Sequence, residues 1–198
     1  LLLNQVENVY GKVDVPEEIY ALEAFKYIVE NNPALLDTLA NKLSRESTSI
    51  STKLNSMAQY TDMSHMKSNL NLSKELKHRI TYSFNHLLSF VKRIHNSGTS
   101  LRIGTNTENG GMAFISEQLL LAEAGISASD IIKISTLNAA KVLKIDNRFG
   151  SIEIGKKADL IIYDQNPIDD YKNFASTRRV IKSGKLFKRN PAKIDIEE

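Results

Sequence analysis

Apolar residues return at helical intervals through much of the chain. Ile19, Leu22, Phe25, Ile28 and Val29 fall on one face of a helix that starts near Asp14 or Val15, with Pro16 in its first turn. Glu17 and Glu18 then sit at the positive end of its dipole. Asn31-Asn32-Pro33 breaks that helix, and Leu35, Leu36, Leu39 and Leu43 predict a second one over residues 34–43. Residues 47–54 alternate, are rich in Ser and Thr, and predict a short strand. From 55 to 72 the pattern decays, with Met57, Met63 and Met66 among polar residues, which reads as a long loop with helical turns. Leu76, Ile80, Phe84, Leu87, Leu88, Val91 and Ile94 predict a long helix over 73–96, ended by Gly98. Residues 1–10 are short and apolar and read as a helix end followed by a strand.

The second half is more regular. Residues 101–103 form an apolar strand ending at Gly104, and Gly110-Gly111 opens a helix carrying Ile115, Leu119 and Leu120. Gly125 is placed to end that helix, and Ser127, with Asp130 three residues on, to cap the next. The next helix carries Ile131, Ile132, Ile134, Leu137, Ala140 and Val142. Three β segments follow, at 150–154, 158–163 and 179–181. Strands alternating with helices, then a small sheet, make an α/β pattern with an appended β unit.

In order and spacing, these motifs resemble the C-terminal part of the amidohydrolase superfamily, in particular its imidazolonepropionase-like and prolidase-like branch. The residues that carry the resemblance are Ile103-Gly104-Thr105-Asn106, Glu117-Gln118-Leu119-Leu120-Leu121, Ala124-Gly125-Ile126-Ser127, Thr136-Leu137-Asn138-Ala139-Ala140, Gly150-Ser151-Ile152-Glu153-Ile154-Gly155-Lys156-Lys157-Ala158-Asp159-Leu160, Asn166-Pro167 and Val180-Ile181-Lys182-Ser183-Gly184. The resemblance implies the C-terminal portion of a TIM-like (β/α)8 barrel with strands of a small appended β-sandwich. Residues 1–145 would supply the last three β/α units, 146–190 the sandwich strands and 191–198 a tail. A whole barrel takes about 200–250 residues. The remaining units are therefore expected on another segment or chain; a self-contained three-layer α/β domain is the alternative.

Composition changes this picture little. A net charge of +3 over 198 residues gives no footprint for nucleic acid or a membrane surface, and no apolar run approaches a membrane span. There are no cysteines, which excludes disulfides and thiolate metal sites. Arg178, Arg179, Lys182, Lys185, Lys188 and Arg189 read as a solvated sheet edge.

Chemistry in barrel enzymes sits at the C-terminal ends of strands. The resemblance puts Asn106 at such an end, where relatives carry an Asp that binds the metal and takes a proton from the attacking water. It puts Asn8 where relatives carry a metal-binding or substrate-polarising His. Asn106 is thus the catalytic position, and Asn8 and Asn106 are the substituted metal-ligand positions. An amide oxygen is a neutral, weaker ligand and no base near pH 7. Losing general-base help costs about 10²–10⁴-fold in rate. The implied cofactor is a divalent metal, zinc foremost, though this chain need not hold one. The implied substrate is a small molecule or peptide-like compound with an amide or lactam bond, and a homo-oligomer is compatible with the family.

Other candidates weaken under inspection. His65, His78, His86 and His95 show neither a His-x-His pair nor a His-Glu-x-x-His motif, and read as polar surface residues, with His65 nearest to a site. Glu108 could stand in as a carboxylate but reads as solvated. Gly110-Gly111 lacks the Lys-Ser/Thr of a phosphate loop, Glu117 reads as structural or solvated, and Asp159 as a local partner near the β unit. Two functions follow: a C–N hydrolase with a degenerate metal site, or a non-catalytic scaffold on the same fold.

Overall fold

The structure is a computed structural model, and it describes residues 16–46, 48–65, 72–105 and 110–188. The segment 1–10 read above as helix and strand lies outside them. Helix α1 (Glu17–Asn31) has Pro16 as its N-cap, where the sequence suggests a cap at Asp14 or Val15 and Pro16 in the first turn. Asn32 separates it from α2 (Pro33–Arg45), which Pro33 opens. Strand β1 (Ser49–Thr52) follows, then a single helical turn and a half, α3 (Leu54–Ala58). The long helix α4 (Lys74–Asn96) is capped by the Ser73 hydroxyl, which accepts from the Leu76 N–H. Its buried stripe is Ile80, Phe84, Leu88, Val91 and Ile94. Gly98, at φ +90°, turns the chain into β2 (Ser100–Ile103).

Strands β1 and β2 run parallel, pairing Ser49 with Ser100, Ile50 with Leu101, Ser51 with Arg102 and Thr52 with Ile103. The Gly104 N–H donates to the Thr52 carbonyl at 3.0 Å, carrying the ladder one step past the strand end. Helix α5 (Gly110–Glu123) is central: Ala113, Ile115, Ser116, Glu117, Gln118, Leu119, Leu120 and Leu121 are all buried. Gly125 (φ +82°) ends it, and Ser127 caps α6 (Ala128–Ser135) by accepting from the Asp130 N–H at 3.1 Å. The one helix expected next is two, because Thr136 leaves helical geometry (φ −132°, ψ −85°) before α7 (Leu137–Val142). No helix among the described residues is long and apolar enough to cross a membrane.

The appended unit is a three-stranded antiparallel sheet of β3 (Leu160–Tyr163), β4 (Thr177–Lys182) and β5 (Lys185–Lys188). Residues 150–154 form no strand, contrary to the alternating pattern there. Gly150 and Gly155, at φ +93° and +91°, bend the chain at both ends of the segment and leave Ile152 and Ile154 in solvent. Strand β5 was not expected; the Ser183-Gly184 turn (φ 49° and 77°) folds it back on β4. The sheet is anchored to α5 through a 3-10 turn (Tyr171–Ala175) whose Phe174 is fully buried and meets Tyr163 edge-on at 6.2 Å.

Candidate functional site

Parallel pairing brings the C-terminal ends of β1 and β2 to the same side of their sheet, and three features hold that edge. The first is Gly104. A Cβ there would lie 2.4 Å from Ser51 Oγ and 2.7 Å from the Thr52 carbonyl oxygen, so any side chain would force the two strand ends apart. The second is the Thr52 carbonyl, which accepts the Gly104 N–H.

The third is Glu117. Its side chain is completely buried. One carboxylate oxygen accepts the Asn55 N–H at 2.5 Å, and the other accepts the Thr52 hydroxyl at 2.8 Å. The Leu54 N–H also donates to it. Glu117 therefore ties α5 to the last residue of β1 and to the otherwise unpaired amides that open α3. Burial pushes its carboxyl above the usual carboxylate range, and the Asn55, Thr52 and Leu54 donors pull it back in part. Structural is right for this residue and solvated is wrong. The sequence did carry a signal, an acid inside the run Ile115 to Leu121.

Asn106, the expected catalytic position two residues beyond Gly104, lies outside the described residues, as do Asn8 and Glu108. His65 pairs through Nε2 with Glu123 Oε1 at 2.9 Å, fixing the loop after α3 to the end of α5. His86 meets Tyr82 edge-on at 4.6 Å, and His95 is 3.7 Å from Asp130. Asp159 pairs locally as expected: it accepts from Lys182 Nζ at 2.5 Å and from the Ser183 N–H at 2.7 Å, contacts that hold its carboxyl below the usual range. Gln118 donates to Ser135 Oγ at 3.1 Å and also bonds Tyr163, linking α5, α6 and β3.

Among the described residues no three His, Cys, Asp or Glu side chains come together as a metal-binding group. The two positions that the resemblance assigns to the metal, 8 and 106, lie outside the described residues.

Comparison with known proteins places the chain. The sequence profile of the Amidohydrolase family matches residues 8–187. An imidazolonepropionase of Picrophilus torridus is 54% identical over 54 residues, covering 27% of this chain and 13% of that protein. An ochratoxinase of Aspergillus niger is 31% identical over 107 residues, covering 52% of this chain and 22% of that protein. The chain thus spans less than a quarter of the length of either relative. An amidohydrolase from Thermotoga maritima MSB8 superposes with a TM-score of 0.52 at 22% identity, over 77% of this chain and 34% of that one. With a profile match across nearly its whole length and the same mixed α/β fold, the chain belongs to the amidohydrolase family.

Proposed function

We propose that this chain is the C-terminal part of a hydrolase acting on C–N bonds in amides, lactams or peptide-like compounds, with β1 and β2 as neighbouring strands of a (β/α)8 barrel. Residues 1–145 belong to the barrel, 146–190 to the small β-sandwich, and 191–198 to a tail. The observation that carries this is the parallel, in-register pairing of β1 and β2, with helices packed on one face and the C-terminal ends side by side. Catalysis in this fold happens at that end of the strands.

Amidohydrolases are generally metal-dependent. In this reading Asn8 and Asn106 occupy two ligand positions as neutral amides, so any divalent metal rests on strands outside the chain and is held weakly. What the chain itself contributes is placement: Glu117 fixes the end of β1, and Gly104 sets the spacing of β1 and β2 just before residue 106. A second reading is a non-catalytic scaffold on the same fold, favoured by the two Asn residues at positions where relatives keep an acid and a histidine.

Metal analysis of the protein with its complete reading frame tests the degenerate site. Less than one equivalent of Zn, Mn or Fe after supplementation is expected, rising on Asn106→Asp. A full equivalent in the unmutated protein, unchanged by that substitution, would remove residue 106 from the site. Turnover of a panel of N-acyl amino acids and lactams separates hydrolase from scaffold.

A further inference from the structure

Helix α7 ends on a surface that mixes apolar and basic side chains. Lys144 turns the chain in a left-handed conformation (φ 57°), and its N–H donates to the Lys141 carbonyl at 3.0 Å. The turn leaves Leu143 62% and Ile145 37% exposed. The Arg148 and Phe149 N–H groups both donate to the Ile145 carbonyl, which draws those two residues against the same turn. Lys157 joins them from the start of the appended unit, its N–H donating to the Arg148 carbonyl at 2.9 Å. The Phe149 ring then has Arg148 Cζ 5.5 Å and Lys157 Nζ 6.0 Å from its centroid. Lys141, Lys144, Arg148 and Lys157 are all exposed. Two acids lie close in sequence: Asp159 is held by Lys182 and the Ser183 N–H, and Asp146 is a single charge against four. Exposed aliphatic groups ringed by cations fit a segment that is itself both apolar and acidic.

The chain carries such a segment. Residues 189–198 follow β5, lie outside the described residues, and include Ile194-Asp195-Ile196-Glu197-Glu198, two isoleucines interleaved with three acids. Their reach is sufficient. Lys188 pairs with Arg179, and Arg179 with Ile162, so two strand spacings of about 4.8 Å separate Lys188 from Ile162. Ile162 is five residues from Lys157, at most about 18 Å away. Lys188 is thus within about 28 Å of Lys157, and the ten residues that follow it span up to about 33–36 Å.

We propose that residues 194–198 dock on the end of α7 in the same chain. Ile194 and Ile196 cover Leu143, Ile145 and Phe149, and the three acids lie among the four cations. An exposed ion pair contributes little by itself. Tethering supplies the rest, since a short linker holds the segment at roughly millimolar effective concentration, and each isoleucine adds apolar area removed from water. The docking is independent of any chemistry at the strand ends.

The test is amide exchange of segment 141–149, read by mass spectrometry on the protein with its complete reading frame, with and without residues 191–198. The intact protein is expected to exchange there about 3–30-fold more slowly, with the difference shrinking as salt is raised. Neutralising the tail with Asp195→Asn, Glu197→Gln and Glu198→Gln is expected to act like the deletion while touching no part of the folded body. Arg148→Glu with Lys157→Glu should do the same, and adding Asp195→Lys, Glu197→Lys and Glu198→Lys to that pair should restore protection. Equal exchange with and without the tail overturns the proposal, whether upstream chain covers the surface or solvent does. Protection that the reversed tail fails to recover puts the tail elsewhere and overturns it as well. Sedimentation of the same samples supplies the last control: protection that appears only as the mass doubles means that the tail reaches a second copy, which overturns docking within the chain.

Discussion

Replacing Glu117 separates the geometry of the strand-end clamp from its charge. Glu117→Ala removes the acceptors for the Thr52 hydroxyl and the Asn55 and Leu54 amides, all at a fully buried site. Buried groups left unsatisfied cost about 1–3 kcal/mol each, and partial rescue by water trims the sum. With the cavity left behind, the expected loss is about 3–5 kcal/mol, or roughly 10 °C in melting temperature for a domain of this size. Glu117→Gln keeps the shape: its carbonyl accepts the two amides, and its NH2 donates to Thr52 Oγ, as a protonated carboxyl would. Its expected cost is within about 1 kcal/mol. The pH dependence follows from the upward shift of the carboxyl. Native protein binds this proton more tightly than unfolded chain does. The stability it contributes is thus complete below the ordinary carboxylate range and is lost as pH rises through the raised value. Wild type should therefore lose ground to Glu117→Gln as pH rises from about 4 to 7, read by urea unfolding at each pH. A Gln variant as damaged as Ala, or a gap that widens in favour of wild type with rising pH, refutes the reasoning.

Other substitutions probe the parts around it. Gly104→Ala puts a methyl group 2.4 Å from Ser51 Oγ and 2.7 Å from the Thr52 carbonyl oxygen, and should cost about 1–3 kcal/mol by thermal melting. Ser127→Ala removes the α6 cap and should cost about 1 kcal/mol. Asp159→Asn loosens the β4–β5 turn, and its effect should be seen as faster amide exchange at Ser183. Because the Asp159 carboxyl is held low, its contribution is present above the usual carboxylate range and fades as pH falls through the lowered value. Asn exchange should therefore match wild type at the acid end.

Elements with one exposed and one buried face were legible from sequence. Helix α4 has a single stripe, a serine cap and a glycine stop, and its bounds fall within a residue of expectation. Helix α5 is buried around most of its circumference, so no stripe marks its orientation, and Glu117 could not be told from a solvated acid by pattern alone. What decides its fate is Thr52 and the start of α3, more than sixty residues away in sequence. Residues 150–154 alternate like a strand, yet two left-handed glycines and the bonds among Ser151, Glu153 and Lys156 hold a turn instead. Thr136 breaks a helix that the apolar pattern runs straight through. The pairing of Ser51 with Arg102 is invisible until the register is known, because the two meet only through parallel pairing.

The most direct test of the account is a crystal structure of the protein with its complete reading frame. Strands β1 and β2 should be consecutive members of a closed parallel barrel, each outer edge hydrogen-bonded to a further strand, with residue 106 and Arg102 facing its interior. Outer edges left to solvent or covered by a helix, or residue 106 turned outward among the helices, would contradict it.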